Sequence, residues 1–225
     1  FPLKVATGAM PPLAKFAAAP FGVIERYAEG PDGPALLPVT LRNVEAQLAV
    51  QGLQPGAAQG GKVSTLRPQS DAEIIAWQRK LQRYDDYSIE RKQALRDVKG
   101  ALPKALDERD ADRVQTRMLS LLDGQAGVKK LDLPQTPKGD PRPFEVVGIP
   151  LAEPGFHVVE IESRRLGESL LDKKAPMYVR NGVLVTNLGV HLKHGRENAM
   201  VWVTSLDRGK PVEGAEVVIT PAAKG

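Results

Sequence analysis

Residues 198–219, NAMVWVTSLDRGKPVEGAEVVI, contain the clearest strand pattern in the chain. Two apolar runs, AMVWVTSL and GAEVVI, flank a polar segment with Gly209 and Pro211, which predicts two antiparallel strands joined by a turn. An isolated two-stranded ribbon is only marginally stable in water and needs further strands to pack against. The sequence supplies none before it ends at residue 225. We therefore expect the polypeptide to continue beyond this residue.

The region before this stretch also has the two-residue period of strands. Residues 144–151 (FEVVGIPL) and 153–163 (EPGFHVVEIES) each predict a strand, and residues 181–193 (NGVLVTNLGVHLK) predict a long one. The dipeptide Asn181-Gly182 at the start of this long strand is typical of a turn. The side chains predicted to share one of its faces are Leu184, Leu188, Val190 and Leu192.

The N-terminal residues 1–50 predict shorter strands, because Pro and Gly clusters interrupt their apolar segments. Residues 52–69 and 124–143 are predicted to be loops or linkers. Since strands and helices do not alternate, the sequence favours antiparallel sheets over parallel crossovers. The predicted fold is therefore mainly β: an antiparallel β-sandwich with an inserted α-helical hairpin or small bundle.

The insertion is predicted from the helical periodicity of residues 70–123. Ser70 and Glu73 have the spacing of a capping box at the start of a first helix, a second helix is predicted from Ser88, and a third ends at Gly124. The apolar stripes are Ile74, Trp77, Leu81 and Tyr84 in the first helix, Leu95, Val98, Leu102 and Leu106 in the second, and Ala111, Val114, Met118 and Leu121 in the third. We expect a satellite unit outside the sandwich core.

Composition argues against several classes of function. The chain has 42% hydrophobic and 26% charged residues, which is typical of a folded globular protein. Its net charge of +4 is small, and no Lys/Arg run with interleaved aromatic residues indicates a nucleic-acid partner. The sequence contains no cysteine, so it offers no thiolate, disulfide or Cys-ligated zinc. No apolar run reaches the ~20 residues of a membrane-spanning helix.

The residue types that most often catalyse reactions or bind metals form no recognisable site. His191 and His194 lie three positions apart on a predicted strand, so their side chains point to opposite faces, and no further ligand is suitably spaced. Together with His157 they are interpreted as solvated imidazoles at strand ends. Ser163 and Ser205 lack a glycine elbow and a His–Asp pair to activate them. We predict no catalytic, cofactor-binding or metal-binding residue, no cofactor and no enzymatic activity.

Residues 183–219, VLVTNLGVHLKHGRENAMVWVTSLDRGKPVEGAEVVI, resemble the join between two domains of bacterial α2-macroglobulin-like proteins. In that family, macroglobulin domains are seven-stranded antiparallel sandwiches strung in series. The resemblance implies that residues 1–195 form one such domain, with the helical insertion at about 70–123. Residues 196–225 would then supply the first strands of the following domain.

Members of this family are broad-spectrum protease inhibitors, in which cleavage of a bait segment triggers a rearrangement that cages the protease. The resemblance therefore implies a structural module of such an inhibitor, with proteases as targets of the full-length protein. It also implies a periplasmic location, with anchoring through a lipidated N-terminus outside these residues. The Cys-Glu-Gln thioester of many members is absent here, and some bacterial members lack it altogether.

The alternative hypothesis is an Ig-like interaction module of a bacterial adhesin or cell-envelope surface protein. Its partners would be other cell-envelope proteins, and neither hypothesis involves nucleic acid or a small-molecule substrate. Because the strands that would cover it are missing, we expect the ribbon 199–219 to pack on a second copy of the chain or to be its most mobile ordered part.

Overall fold

The computed structural model describes residues 4, 11–25, 35–42, 44, 62–100, 102–103, 112–131, 145–171 and 175–220. Their strands are β1 (Leu13–Phe16), β2 (Phe21–Glu25), β3 (Ala35–Arg42), β4 (Lys62–Leu66), β5 (Ser88–Glu90), β6 (Arg113–Gln115), β7 (Lys129–Leu131), β8 (Glu145–Leu151), β9 (Gly155–Ser163), β10 (Met177–Thr186), β11 (Leu188–His194) and β12 (Ala199–Ser205). Their helices are α1 (Asp71–Arg83), α2 (Arg91–Asp97) and α3 (Arg164–Leu170), with a 3₁₀ turn at Thr116–Met118. None of these helices is long and apolar enough to cross a membrane.

Two sheets form the sandwich that the sequence predicts. One has the strand order β1-β3-β8 and the other β2-β10-β9-β4-β7. The pairs within them are antiparallel except β10 with β2, which run parallel. Alternation along each strand places one set of side chains between the sheets. Buried residues of this sandwich core include Phe16, Leu37, Val39, Leu41, Val63, Ile149, Val159, Ile161, Val183 and Val185.

A second apolar core lies on the outer face of the five-stranded sheet. Phe156 and Val158 of β9 point to this face, away from the sandwich core. Trp77 and Leu81 of α1, together with Leu121, pack against them. The described residues of the helical unit therefore lie outside the sandwich core, as predicted. The unit is not self-contained, however, because the sheet supplies one wall of its core.

The first helix begins where the capping-box pattern predicts. The Ser70 hydroxyl accepts a hydrogen bond from the Glu73 backbone N–H (3.3 Å), and the Glu73 carboxylate accepts one from the Ser70 backbone N–H (3.2 Å). These two bonds satisfy backbone donors that have no partner within the first turn of a helix. The local sequence therefore specifies the residue at which α1 begins.

The second helix exists but starts later and ends earlier than predicted, and the third helix was predicted wrongly. β5 occupies the predicted start of the second helix, α2 covers seven residues, and β6 with the 3₁₀ turn replaces the third. The reason is a pairing distant in sequence: Ile89 lies opposite Val114, and both are buried. Leu95, predicted to face the core, is 55% exposed. Leu106 and Ala111 lie outside the described residues.

Two segments predicted to be loops contribute strands. β4 lies between β9 and β7 in the five-stranded sheet, and β7 lies at its edge. Val63 of β4 is 2% exposed, within the sandwich core. The helical segment therefore leaves the sheet from β4 and returns to it through the neighbouring strand β7.

The predicted turn at Asn181-Gly182 lies inside β10. A Cβ atom on Gly182 would be 2.7 Å from Leu81 Cδ1 and 3.1 Å from Phe156 Cζ. Glycine is present because α1 and β9 approach β10 closely here, and not because the chain turns. The dipeptide signal was therefore misleading.

Candidate functional site

The C-terminal ribbon, β11 with β12, is the candidate interaction site. The predicted long strand is interrupted at Asn187, where β10 ends and leaves the five-stranded sheet. β11 then pairs with β12 in a separate antiparallel ribbon. The connection closes through a hydrogen bond from the Gly195 N–H to the Asn198 carbonyl (2.8 Å). The ribbon thus extends from the sandwich, and its two strands belong to neither of the sandwich sheets.

Apolar side chains of the ribbon are in contact with solvent on both faces. We call one face the Val190 face; it contains Leu188, Val190, Leu192, Val201 and Val203. Val190 and Leu192 are each 62% exposed. The opposite face carries Trp202, which is 50% exposed and lies across from His191. A continuous apolar face of this kind marks a surface that packs against another element.

Asn187 fixes the base of the ribbon. Its side-chain amide donates to Asp207 Oδ1 and accepts from the Asp207 N–H, both at 3.2 Å. Its carbonyl accepts from the Leu206 N–H at 2.8 Å. Partial burial raises the pKa of Asp207, but hydrogen bonds from Asn187 and Ser205 outweigh that effect and hold the pKa below its ordinary value. The start of the ribbon is therefore an ordered junction.

The strand pairing within residues 198–219 differs from the prediction. AMVWVTS is β12, as predicted, but its partner is β11 and not residues 214–219. The Val212 N–H donates to the Val203 carbonyl (3.0 Å), so the chain briefly returns alongside β12 before Gly214 (φ +70°) turns it. Val218 and Ile219, 68% and 74% exposed, form no strand with the described residues.

The three histidines do not come together. His191 and His194 are exposed on the ribbon, in agreement with the sequence. His157 is 5% exposed, which corrects its interpretation as a solvated imidazole. Its Nε2 lies 2.8 Å from the Glu153 carbonyl oxygen, beside a cavity of about 620 Å³ at one end of the sandwich. Within the described ranges, no three His, Asp or Glu side chains are grouped to hold a metal ion.

Both serines considered from the sequence have structural contacts. Ser163 is 1% exposed, and its hydroxyl accepts from the Leu166 N–H (3.1 Å) at the start of α3. Ser205 lies at the end of β12, where its carbonyl accepts from the Gly209 N–H (2.8 Å). Ser163 therefore caps a helix, and Ser205 belongs to a turn.

One comparison with known proteins finds a match, and it falls on the ribbon. Residues 185–224 match the family model of the bacterial alpha-2-macroglobulin MG3 domain. The match begins at the end of β10 and includes all of β11 and β12. Neither a curated protein nor a solved structure matches the chain significantly. The C-terminal segment is thus similar to part of a macroglobulin domain, and it is joined to a β-sandwich that carries helices.

Proposed function

We propose that the chain is a structural, non-enzymatic module of a bacterial α2-macroglobulin-like protease inhibitor. The observation that carries this proposal is the family match at residues 185–224, which coincides with a ribbon that has an uncovered apolar face. In this proposal the ribbon begins a second macroglobulin domain. The protease targets and a periplasmic location belong to the full-length protein.

The proposal divides the chain into two domains near residue 187, a few residues before the boundary between 195 and 196 that the sequence suggests. The strand break at Asn187 and the start of the family match at residue 185 support this boundary, which places β11 in the second domain. Covering the Val190 face by further strands would contribute roughly 1.5–3 kcal/mol for each large apolar side chain removed from water. That burial gives the second domain a physical reason to form.

The proposal is tested with the full-length protein encoded by the same gene. It is incubated with trypsin, and the remaining activity is measured on a small peptide substrate and on a large protein substrate. A caged protease still cleaves the small substrate but not the large one. Loss of activity on the large substrate alone supports the proposal. Equal activity on both, relative to free trypsin, would favour the adhesin alternative.

A further inference from the structure

The flank of the sandwich beside β2 contains a cavity that holds a buried amide without a partner. The cavity, of about 360 Å³, lies between β2, β3, β10 and the β1–β2 turn. Asn181 is 1% exposed, and neither its Nδ2 nor its Oδ1 has a hydrogen-bond partner among the described residues. Every other residue that lines the cavity is apolar or glycine. Asn181 therefore has the single polar side chain among the residues that line this cavity.

This arrangement is unfavourable for the chain alone. An asparagine side chain has two N–H donors and one carbonyl acceptor, and burial without partners costs about 1–3 kcal/mol for each unsatisfied group. An apolar residue here would avoid that cost, as Val183 does two positions along the same face of β10. Buried polar side chains nearly always have partners. The observation points to a hydrogen-bonding group supplied from outside the described residues.

Two strand edges beside the cavity are free of neighbours in the described part of the chain. β2 is the edge of its sheet. The Gly182 N–H donates to the Pro20 carbonyl (2.8 Å), so the backbone groups of Gly22 face β10 and those of Phe21 and Val23 face away. In the opposite sheet, β1 pairs only with Val39–Arg42 of β3, which leaves residues 35–38 without a strand on that side.

Large apolar side chains are exposed at this flank. Phe21, Val23 and Leu36 are 42%, 55% and 54% exposed. Residues 21–24, FGVI, carry none of the charges or prolines that commonly protect an edge strand. Gly22 leaves the approach to the amide open, since a Cβ there would be 3.9 Å from Asn181 Nδ2.

We propose that an extended peptide of a partner protein binds beside this cavity. The peptide adds to the free edge of β2 and inserts one carboxamide or hydroxyl side chain into the cavity, toward Asn181. Main-chain hydrogen bonds to Phe21 and Val23 supply affinity, and the cavity supplies specificity. The apolar walls disfavour a charged side chain. Because side chains alternate along a strand, the two neighbours of the inserted residue lie on the outer face and are apolar. The site is independent of the proposed inhibitor function.

The probes are capped peptides of sequence Thr-Thr-Val-Xaa-Val-Thr-Thr with Asn, Ala or Asp at Xaa, titrated calorimetrically into the 225-residue chain. We expect the Asn peptide to bind about tenfold more tightly than the Ala peptide, and the Asp peptide to show no gain. Val23→Pro removes a free-edge N–H and should abolish binding. Val23→Thr keeps the N–H and should retain it. Asn181→Leu should remove the preference for Asn over Ala.

Thermal unfolding of each variant checks that it is folded. If Asn181→Leu does not fold, the side-chain amide resonance of Asn181 in the unaltered chain replaces it and should shift with the Asn peptide only. Equal binding of the Asn and Ala peptides, no binding, or binding unaffected by Val23→Pro would overturn the proposal. Two further results would also overturn it: an Asn181 side-chain amide that is already hydrogen-bonded in the free chain, or self-association of the chain that Val23→Pro abolishes. In either case the chain itself would occupy the cavity or the free edge of β2.

Discussion

Glu160 of β9 and Arg180 of β10 lie directly opposite each other in the antiparallel register and form a buried ion pair. Arg180 Nε is 3.5 Å from Glu160 Oε2, an ion-pair distance rather than a hydrogen bond, and the two side chains are 8% and 4% exposed. Both residues also bond to the loop at 116–122. In this loop, the Ser120 hydroxyl and the Leu121 N–H donate hydrogen bonds to the Glu160 carboxylate. The carbonyl groups of Thr116 and Leu119 accept hydrogen bonds from the Arg180 guanidinium.

Replacement of Arg180 by methionine should strongly destabilise the fold. It leaves the Glu160 carboxylate buried without its counter-charge, which typically costs about 3–5 kcal/mol of unfolding free energy. Urea denaturation measures the change. Arg83→Met is the matched control, because the Arg83–Asp97 pair is partly solvent-exposed and such pairs contribute about 0–1 kcal/mol. If Arg180→Met lowers the unfolding free energy no more than Arg83→Met does, the buried ion pair does not stabilise the packing of the loop at 116–122 on the sheet.

Deletion of residues 70–123 tests how far the helical unit is separate. The sequence alone predicts that a short Gly/Ser loop in its place leaves a cooperatively folding β-domain. The structure predicts instead a marked loss of stability, because Phe156 and Val158 lose their cover and Glu160 and Arg180 lose their loop contacts. Thermal unfolding followed by circular dichroism measures this. A cooperative transition near the original melting temperature would instead show that the sandwich is stable without the helical unit.

Ser70→Ala should lower the unfolding free energy by about 1 kcal/mol, since the hydroxyl that caps α1 is lost. Ser70→Thr retains a capping oxygen and serves as the control. Both are measured by urea denaturation. If alanine and threonine behave alike, the capping hydrogen bond does not contribute to stability.

Stability should fall as the pH decreases below about 6.5, in part because of His157. Burial lowers the pKa of His157, and the hydrogen bond to the Glu153 carbonyl only partly opposes it; Arg67, Glu153 and Lys129 are the charged neighbours. The unfolded chain, with a histidine pKa near ~6.5, then binds more protons than the folded chain. This contribution is present above that pH and is lost as the pH falls toward the folded pKa.

The check is the unfolding free energy of the chain and of His157→Gln between about pH 5 and 7.5. The variant should show a shallower decline with falling pH. The exposed His191→Gln should leave the decline unchanged and is the control. Parallel curves for the chain and His157→Gln would contradict the buried neutral imidazole.

Features set by neighbouring residues could be predicted from the sequence, whereas features set by distant contacts could not. The capping box of Ser70 and Glu73 spans only four consecutive residues, and the helix predicted from it was correct. β5 and β6 form because Ile89 meets Val114 across the chain, which no helical periodicity in either segment reveals. Gly182 is a close-approach glycine only because Leu81 and Phe156 reach it.

The ribbon shows the same limit. The alternation of apolar and polar residues predicted both β11 and β12 as strands. It did not show which segment pairs with β12, because apolar segments precede and follow β12 in the sequence. The bend at Asn187 depends on its bonds to Asp207, which lies twenty positions away. Nothing in the sequence indicated that the Asn181 side chain is buried without a hydrogen-bond partner; the Asn-Gly dipeptide indicated only a turn. Nothing in the sequence indicated that His157 is buried.

In the proposed inhibitor module, residues 185–224 begin a macroglobulin domain whose further strands cover the Val190 face. The most direct measurement is amide hydrogen exchange of β11 and β12 in the 225-residue chain and in the longer polypeptide that the proposal requires, which continues for roughly 70 residues, the size of a small domain. We predict fast exchange in the shorter chain and strong protection in the longer one, with β9 equally protected in both. Strong protection of the ribbon in a strictly monomeric 225-residue chain would contradict the account.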